Sequence, residues 1–388
     1  MKKTMDSLSQ VRQAMPASGI RQLKTESAEV SDAIHLEIGE PNFDTARHIR
    51  DAAIRAIDEG YTHYTPGLGL PEVRDACSDS VNRRFGWASD SSQIAMTVGA
   101  TNGIGNAFLA VADPGQEVLI PDPGFPNYKQ MLAAQNSRPV RYKLEAANDF
   151  HLDFTELDSR VSSRTVAILV NSPGSPSGTV LDSEELARLY DFARRHDLMI
   201  ISDEVYDELV FEGEHHPLGS FDEDGRVISA YSFSKTYAMT GWRIGFTVAA
   251  PQITELFAKI MQTNVSCASA ISQKAAEAAF TGPQQVVSDM RQAYADRRDA
   301  VCALLDQHNV PYIYPHGAFY VLVDLQATGL DGTNLARTLL ESTKVATAPG
   351  ATFGEQTSSM VRVSLAKDKD TLLKGVERIA DFAHSHDE

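Results

Sequence analysis

Lys235 is where the sequence first suggests chemistry. It lies in Ser232-Phe-Ser-Lys235-Thr-Tyr-Ala-Met-Thr-Gly241-Trp-Arg243-Ile-Gly245, directly after the apolar run Val227–Tyr231, which reads as a buried strand. An amine among hydroxyls and glycines, close in sequence to a guanidinium, loses hydration and feels a second cation. Both effects lower its pKa and favour the free amine, which attacks carbonyls and carries protons. Asp203 closes a second apolar run in Ile201-Ser-Asp203-Glu-Val-Tyr206, the strand end where ligands of open α/β sheets gather. Val98-Gly99-Ala100-Thr101 combines a glycine turn with a helix start, so backbone N–H groups face an anion such as phosphate. Arg362, in Met360-Val-Arg362-Val-Ser364, offers a planar fork that suits a carboxylate. Phe125, in Pro121-Asp-Pro-Gly-Phe125-Pro-Asn-Tyr128, offers a flat apolar plate. Each residue alone has a plainer use: a solvated lysine, a helix cap, a surface ion pair, a core phenylalanine.

Two readings compete for this set. Gly99-Ala-Thr-Asn-Gly103-Ile-Gly105 and Tyr231-Ser-Phe-Ser-Lys235 resemble the glycine motif and tyrosine–lysine pair of short-chain NAD(P)-dependent dehydrogenases. Such a turn belongs to the first strand–helix unit of its sheet, whereas here a long stretch with motifs of its own precedes it. A glycine turn at a helix start binds phosphate in general, not dinucleotides in particular. The other reading is pyridoxal 5′-phosphate. That cofactor needs a lysine amine for an imine, a carboxylate against its ring nitrogen and an anion-binding helix start. It also needs an aromatic plate and an arginine for the substrate carboxylate. The chain offers a candidate for every part.

From about residue 30 to 380 the chain resembles the fold-type I pyridoxal phosphate enzymes, the class I/II aminotransferases. The resemblance implies that Lys235 is the imine lysine and proton shuttle and Asp203 the pyridinium partner. It makes Tyr206 the phenol on the cofactor's ring oxygen and gives Gly99, Ala100, Thr101, Ser232 and Arg243 to the phosphate. Phe125 would stack on the ring. Tyr64, in Tyr64-Thr-Pro-Gly-Leu-Gly, matches a tyrosine that reaches the phosphate of the neighbouring subunit, which implies a homodimer with shared sites. Gly39, in Leu36-Glu-Ile-Gly39-Glu-Pro-Asn-Phe, and Arg362 match the residues that receive the substrate carboxylate. One motif departs from the pattern. Where the family commonly reads N-P-T-G, the chain reads Ser175-Pro176-Ser177-Gly178. A serine hydroxyl is an atom shorter than the asparagine amide, and losing one such hydrogen bond costs about 1–2 kcal/mol.

The implied function is ping-pong transfer of an amino group from an L-amino acid to a 2-oxo acid through an imine on Lys235. Lyase or synthase chemistry on the same scaffold is the alternative, since fold alone does not choose among them. A dicarboxylate substrate lacks its usual cations. Asn102 and Gly103 stand where one branch carries a lysine, and residues 262–273 contain no arginine. Gly317-Ala-Phe319-Tyr320 resembles the branch with alanine, aromatic and broad specificity.

Elements must hold these residues. The runs Ile94–Val98, Glu117–Pro121, Val166–Val170, Leu198–Ser202, Val227–Tyr231 and Ile244–Val248 are nearly continuous apolar stretches, as in strands buried on both faces of a parallel sheet. A helix starts at Asp182, with Glu185 closing a capping box and Leu186, Leu189, Phe192 and Ala193 forming its apolar stripe. Residues 1–30 read as a polar arm or short helix. Beyond 285 the texture turns α+β, with helices over 286–307 and 369–386 and strands Phe319–Leu325 and Val361–Leu365. The predicted fold is α/β: a large domain with a mostly parallel seven-stranded sheet flanked by helices, aspartate aminotransferase-like, plus a smaller α+β domain from both chain ends. Its boundaries are 1–47 for the arm and part of the small domain, 48–284 for the cofactor-binding domain and 285–388 for the rest. The net charge of −17 argues against nucleic acid or an anionic membrane as partner. Cys77, Cys267 and Cys302 are scattered, without metal-ligand spacing, and read as reduced thiols of a cytoplasmic protein. No apolar run approaches the ~20 residues of a membrane span, and no secretory segment is evident.

Overall fold

The computed structural model describes residues 9–13 and 19–385. The polar arm falls partly outside these; its described portions are helices Gln10–Gln13 and Gly19–Ala28.

Thirteen strands are described. In chain order they are β1 (Ile34–His35), β2 (Ile94–Thr97), β3 (Glu117–Asp122), β4 (Arg138–Lys143), β5 (Thr165–Asn171), β6 (Met199–Asp203), β7 (Val227–Ser232), β8 (Gly245–Ala249), β9 (Tyr312–Ile313), β10 (Tyr320–Asp324), β11 (Val345–Ala346), β12 (Ala348–Pro349) and β13 (Met360–Ser364). The large sheet has seven strands in the order β2-β8-β7-β6-β5-β3-β4. Only β8 runs against its neighbours, so β2 points the same way as β5, β6 and β7. Their carboxyl ends therefore open on one edge. Strands β2, β3, β7 and β8 are buried along their whole length, as their unbroken apolar runs required.

The sequence pattern missed β4, which pairs in parallel with β3. It is the sheet's edge strand, exposed at Arg138 and Lys143 and fully buried only at Tyr142. A strand with one flank and part of a face in water has no need of an apolar run. The capping box at Asp182 is half formed. Asp182 accepts from the Glu185 N–H at 2.8 Å, but the Glu185 carboxylate turns inward. There it accepts the Leu152 N–H at 2.6 Å and lies 2.8 Å from His151 Nδ1. Long-range partners won over the local cap. The stripe Leu186, Leu189, Phe192 and Ala193 is buried as its spacing predicts.

A second sheet, β12-β13-β10-β9, is antiparallel throughout. The chain ends meet beside it. β1 pairs in parallel with β11, and Leu23 and Leu36 share one core with Leu372, Val376, Ile379 and Phe382 of helix Lys369–Ser385. No helix among the described residues is long and apolar enough to cross a membrane.

Candidate active site

The strand ends of the large sheet converge on one cleft of about 580 Å³, bounded on its other side by Arg362 and Tyr320 of the second sheet. Lys235 sits on the short helical turn Phe233–Thr236 after β7. Ser232 caps that turn, its Oγ accepting the Ser234 N–H at 3.1 Å. The amine faces the cleft yet is closely enclosed by protein. It donates to the Gly39 carbonyl and stands 5.6 Å from the centre of the Phe319 ring. Loss of hydration is the main cause that lowers its pKa, and Arg362 and Arg243 add to the effect.

Asp203 ends β6 and is buried. Burial pushes its pKa up to about 6, against hydrogen bonds from the Tyr128 hydroxyl and the Val205 N–H that pull the other way. Asn171, at the end of β5, donates to the Asp203 carbonyl at 2.8 Å and accepts the Ser175 N–H at 2.8 Å. Two adjacent strand ends and the serine loop are thereby tied together.

The Gly99 turn forms where β2 meets helix Gly99–Val111, with the backbone geometry of a candidate anion site. Gly99 has φ +72°, and a Cβ there would stand 2.7 Å from Arg243 Nη2. Only glycine lets that guanidinium approach the helix start. Arg243 itself adopts φ 52°, and its Nη1 donates to the Thr240 carbonyl at 2.7 Å. The second glycine of the motif has a packing use: a Cβ on Gly103 would meet Thr247 of β8 at 2.9 Å. The glycines therefore serve an edge strand with an antiparallel neighbour, not the first parallel unit that a dinucleotide fold requires.

Arg362, on β13, is 4% exposed. Its guanidinium lies 4.0 Å from the Tyr320 ring centre and 4.7 Å from that of Phe353, a favourable cation–π setting. Nη2 donates to the Glu37 carbonyl at 3.1 Å and Nη1 reaches Ser175 Oγ at 3.4 Å, while Nε has no partner among the described residues. A buried guanidinium with unused donors suits an incoming carboxylate. A Cβ on Gly39 would collide with the Tyr320 hydroxyl and stand 3.6 Å from Arg362 Nη2. That close approach is why glycine stands there. Tyr206 and Tyr320 join their hydroxyls at 2.9 Å.

The cleft thus gathers Gly39, Ala100, Thr101, Phe125, Ser175, Asp203, Tyr206, Ser232, Lys235, Arg243 and Arg362, with Gly99 directly against Arg243. Tyr64 is the exception. It is 90% exposed and lies outside the cleft, in a surface hollow with Tyr61 and Cys267. Sequence reasoning passed over Arg21, Tyr128, Asn171 and Tyr320, all of which line the cleft. Tyr128 closes the segment that carries Phe125, Asn171 precedes Ser175 by four residues, and Tyr320 in sequence suggests only a branch. Arg21, on helix Gly19–Ala28, had no local signal.

Comparison with known proteins agrees with this geometry. The family described as aminotransferase class I and II matches residues 31–379. An aspartate aminotransferase of Pyrococcus abyssi is 36% identical over 367 residues, covering 93% of this chain and 94% of the relative. Aromatic-amino-acid aminotransferase 2 of Thermococcus litoralis is 35% identical, with the same coverage. The structure of Thermus thermophilus aspartate aminotransferase with maleate superposes with a TM-score of 0.92 at 32% identity, covering 97% of this chain and 99% of that one. The chain belongs to the class I and II aminotransferase family and is a transferase of amino groups.

Proposed function

We propose that the cleft binds pyridoxal 5′-phosphate, with Lys235 as its covalent anchor, and exchanges amino groups between amino acids and 2-oxo acids in two half-reactions. The observation that carries this reading is the meeting of one amine of lowered pKa, one buried carboxylate and the guanidinium groups of Arg243 and Arg362 in a single cleft. The donor set fits the cofactor. The helix start at Gly99, the Ser232 and Ser234 hydroxyls and Arg243 suit its phosphate, Asp203 suits its ring nitrogen, and Phe125 supplies an apolar wall.

When bound, the cofactor supplies an electron-accepting ring that stabilises negative charge at the substrate Cα. The chain's own residues do the rest. Arg362 grips the α-carboxylate through its unused donors, and Gly39 leaves the space for it. That grip turns the Cα–H toward Lys235. Lys235 Nζ, whose pKa is lowered by loss of hydration, would take the α-proton and pass it to the neighbouring carbon. Asp203 would hold the ring-nitrogen proton, with the Tyr128 hydroxyl fixing one carboxylate oxygen. Tyr206, held by the Tyr320 hydroxyl at 2.9 Å, would hydrogen-bond the ring oxygen. Ser175 shares its hydroxyl with Arg362 instead of supplying an asparagine amide to that oxygen.

Exposed Tyr64 would complete the phosphate site of a second copy, making the protein a homodimer, and the reaction belongs to the cytoplasm. For the amino donor, Arg21 supplies a fourth cation in the cleft and forms no ion pair among the described residues. It would hold the distal carboxylate of a dicarboxylic substrate, as the aspartate-named relatives favour. Ile20 and Ile38 give the same subsite an apolar wall for an aromatic chain.

The test is a visible absorbance spectrum before and after borohydride, with a panel of amino acids. A yellow band that borohydride abolishes, and that amino acids convert with release of their 2-oxo acids, is expected. A protein that stays colourless with added cofactor refutes the proposal. Release of ammonia along with the oxo acid, or of carbon dioxide, turns it toward lyase chemistry.

A further inference from the structure

Behind the cleft lies a buried charge cluster that the proposed chemistry does not use. Asp207 follows Tyr206 in the chain, and Thr236 follows Lys235. The Thr236 hydroxyl donates to Asp207 Oδ1 at 2.9 Å. Asp207 Oδ2 accepts from Arg84 Nη1 at 2.6 Å, and the same nitrogen reaches Glu208 Oε1 at 3.0 Å. Arg84 lies in the last turn of helix Pro71–Phe85, its guanidinium 4.6 Å from the centre of the Phe85 ring. Asp207 and Thr236 are buried, at 6% and 1% exposure.

Arg84 Nε and Nη2 are buried without partners among the described residues, and a buried guanidinium left partly unpaired costs free energy that a well-packed apolar group would not. What the cluster does achieve is placement. It ties the residue after the reactive lysine to the residue after the cleft tyrosine. With Ser232 capping the other end, the turn that carries Lys235 is held at both ends.

We infer that Asp207, clamped by Arg84, is a positioning residue that acts through Thr236 to set where the Lys235 amine stands relative to Tyr206 and Asp203. This rests on Lys235 being the reactive amine. Asp207 touches neither substrate nor cofactor. Its effect is on aim, and a misplacement of about 1 Å at a reacting atom costs up to ~100-fold in rate.

The experiment compares wild type with Thr236→Val, Thr236→Ser, Asp207→Ala and the Thr236→Val/Asp207→Ala pair. Thr236→Val is nearly isosteric and keeps the test alive if Asp207→Ala, which strands Arg84, does not fold. Three quantities are read: kcat and KM of the loaded enzyme, the pH midpoint of its visible band, and the pH midpoint for acylation of Lys235 in unloaded protein. Thr236→Val should lower kcat about tenfold with KM within about twofold and move both midpoints. Thr236→Ser should restore wild-type values. The pair should be no worse than the single changes, because they break one link. A lowered melting temperature with kcat and both midpoints unchanged overturns the inference, as do strictly additive effects. A wild-type protein with no visible band removes the parent reading instead, and this one with it.

Discussion

Asp203→Asn should make the unloaded protein more stable, and by an amount that depends on pH. Burial holds the Asp203 pKa at about 6, against an ordinary 3.8. Below the ordinary value the group is protonated in both folded and unfolded chains and makes no difference. As pH rises toward 6, the unfolded chain releases its proton while the folded chain keeps it, so stability falls. Above about 6 both forms are ionised and the penalty is complete. Roughly two pH units at ~1.4 kcal/mol each come to about 3 kcal/mol. Asparagine keeps the shape and can still accept from Tyr128, gives up only the long 3.3 Å bond from the Val205 N–H, and carries no charge to bury. Urea denaturation of both cofactor-free proteins between pH 4 and pH 8 measures this directly. The variant should match wild type near pH 4 and exceed it by about 3 kcal/mol at pH 8, while losing transamination by at least about a hundredfold. A stability difference that stays constant across the range would refute burial as the cause. A variant less stable at pH 8 would refute the sign.

Lys235→Ala should reduce turnover to below about a thousandth of wild type while circular dichroism shows the fold retained; surviving turnover would remove Lys235 from the chemistry. Tyr320→Phe removes the 2.9 Å bond to Tyr206 and should cost about 1 kcal/mol, roughly fivefold in kcat/KM, readable in initial rates with any good donor. Arg21→Ala should raise KM for dicarboxylic donors about tenfold and leave aromatic donors within about twofold. Equal losses for both classes would show that Arg21 does not read the distal charge.

Much of this protein was legible locally. Strands buried on both faces must be apolar along their length, so β2, β3, β5, β6, β7 and β8 announced themselves. Residues at strand ends fall on the open edge of the sheet by chain direction alone. Asp203, Lys235 and the Gly99 turn could therefore be named before any coordinates. Edge strand β4 was invisible because half of it lies in water, and Glu185 left its cap because Leu152 and His151, distant in sequence, offered a buried alternative.

Whatever depends on which distant segments touch was decided by the tertiary structure. β1 and β11 bring the chain ends together, and helix Gly19–Ala28 delivers Arg21 to a cleft otherwise built from later residues. Tyr320 meets Tyr206 across two sheets, and Arg84 meets Asp207 across more than a hundred residues. Sequence determines periodicity, turn chemistry and the reactive types at strand ends, because these act between near neighbours. The aim of Lys235, the pKa of Asp203 and the fourth cation arise from burial and contact, which exist only once the chain has closed on itself.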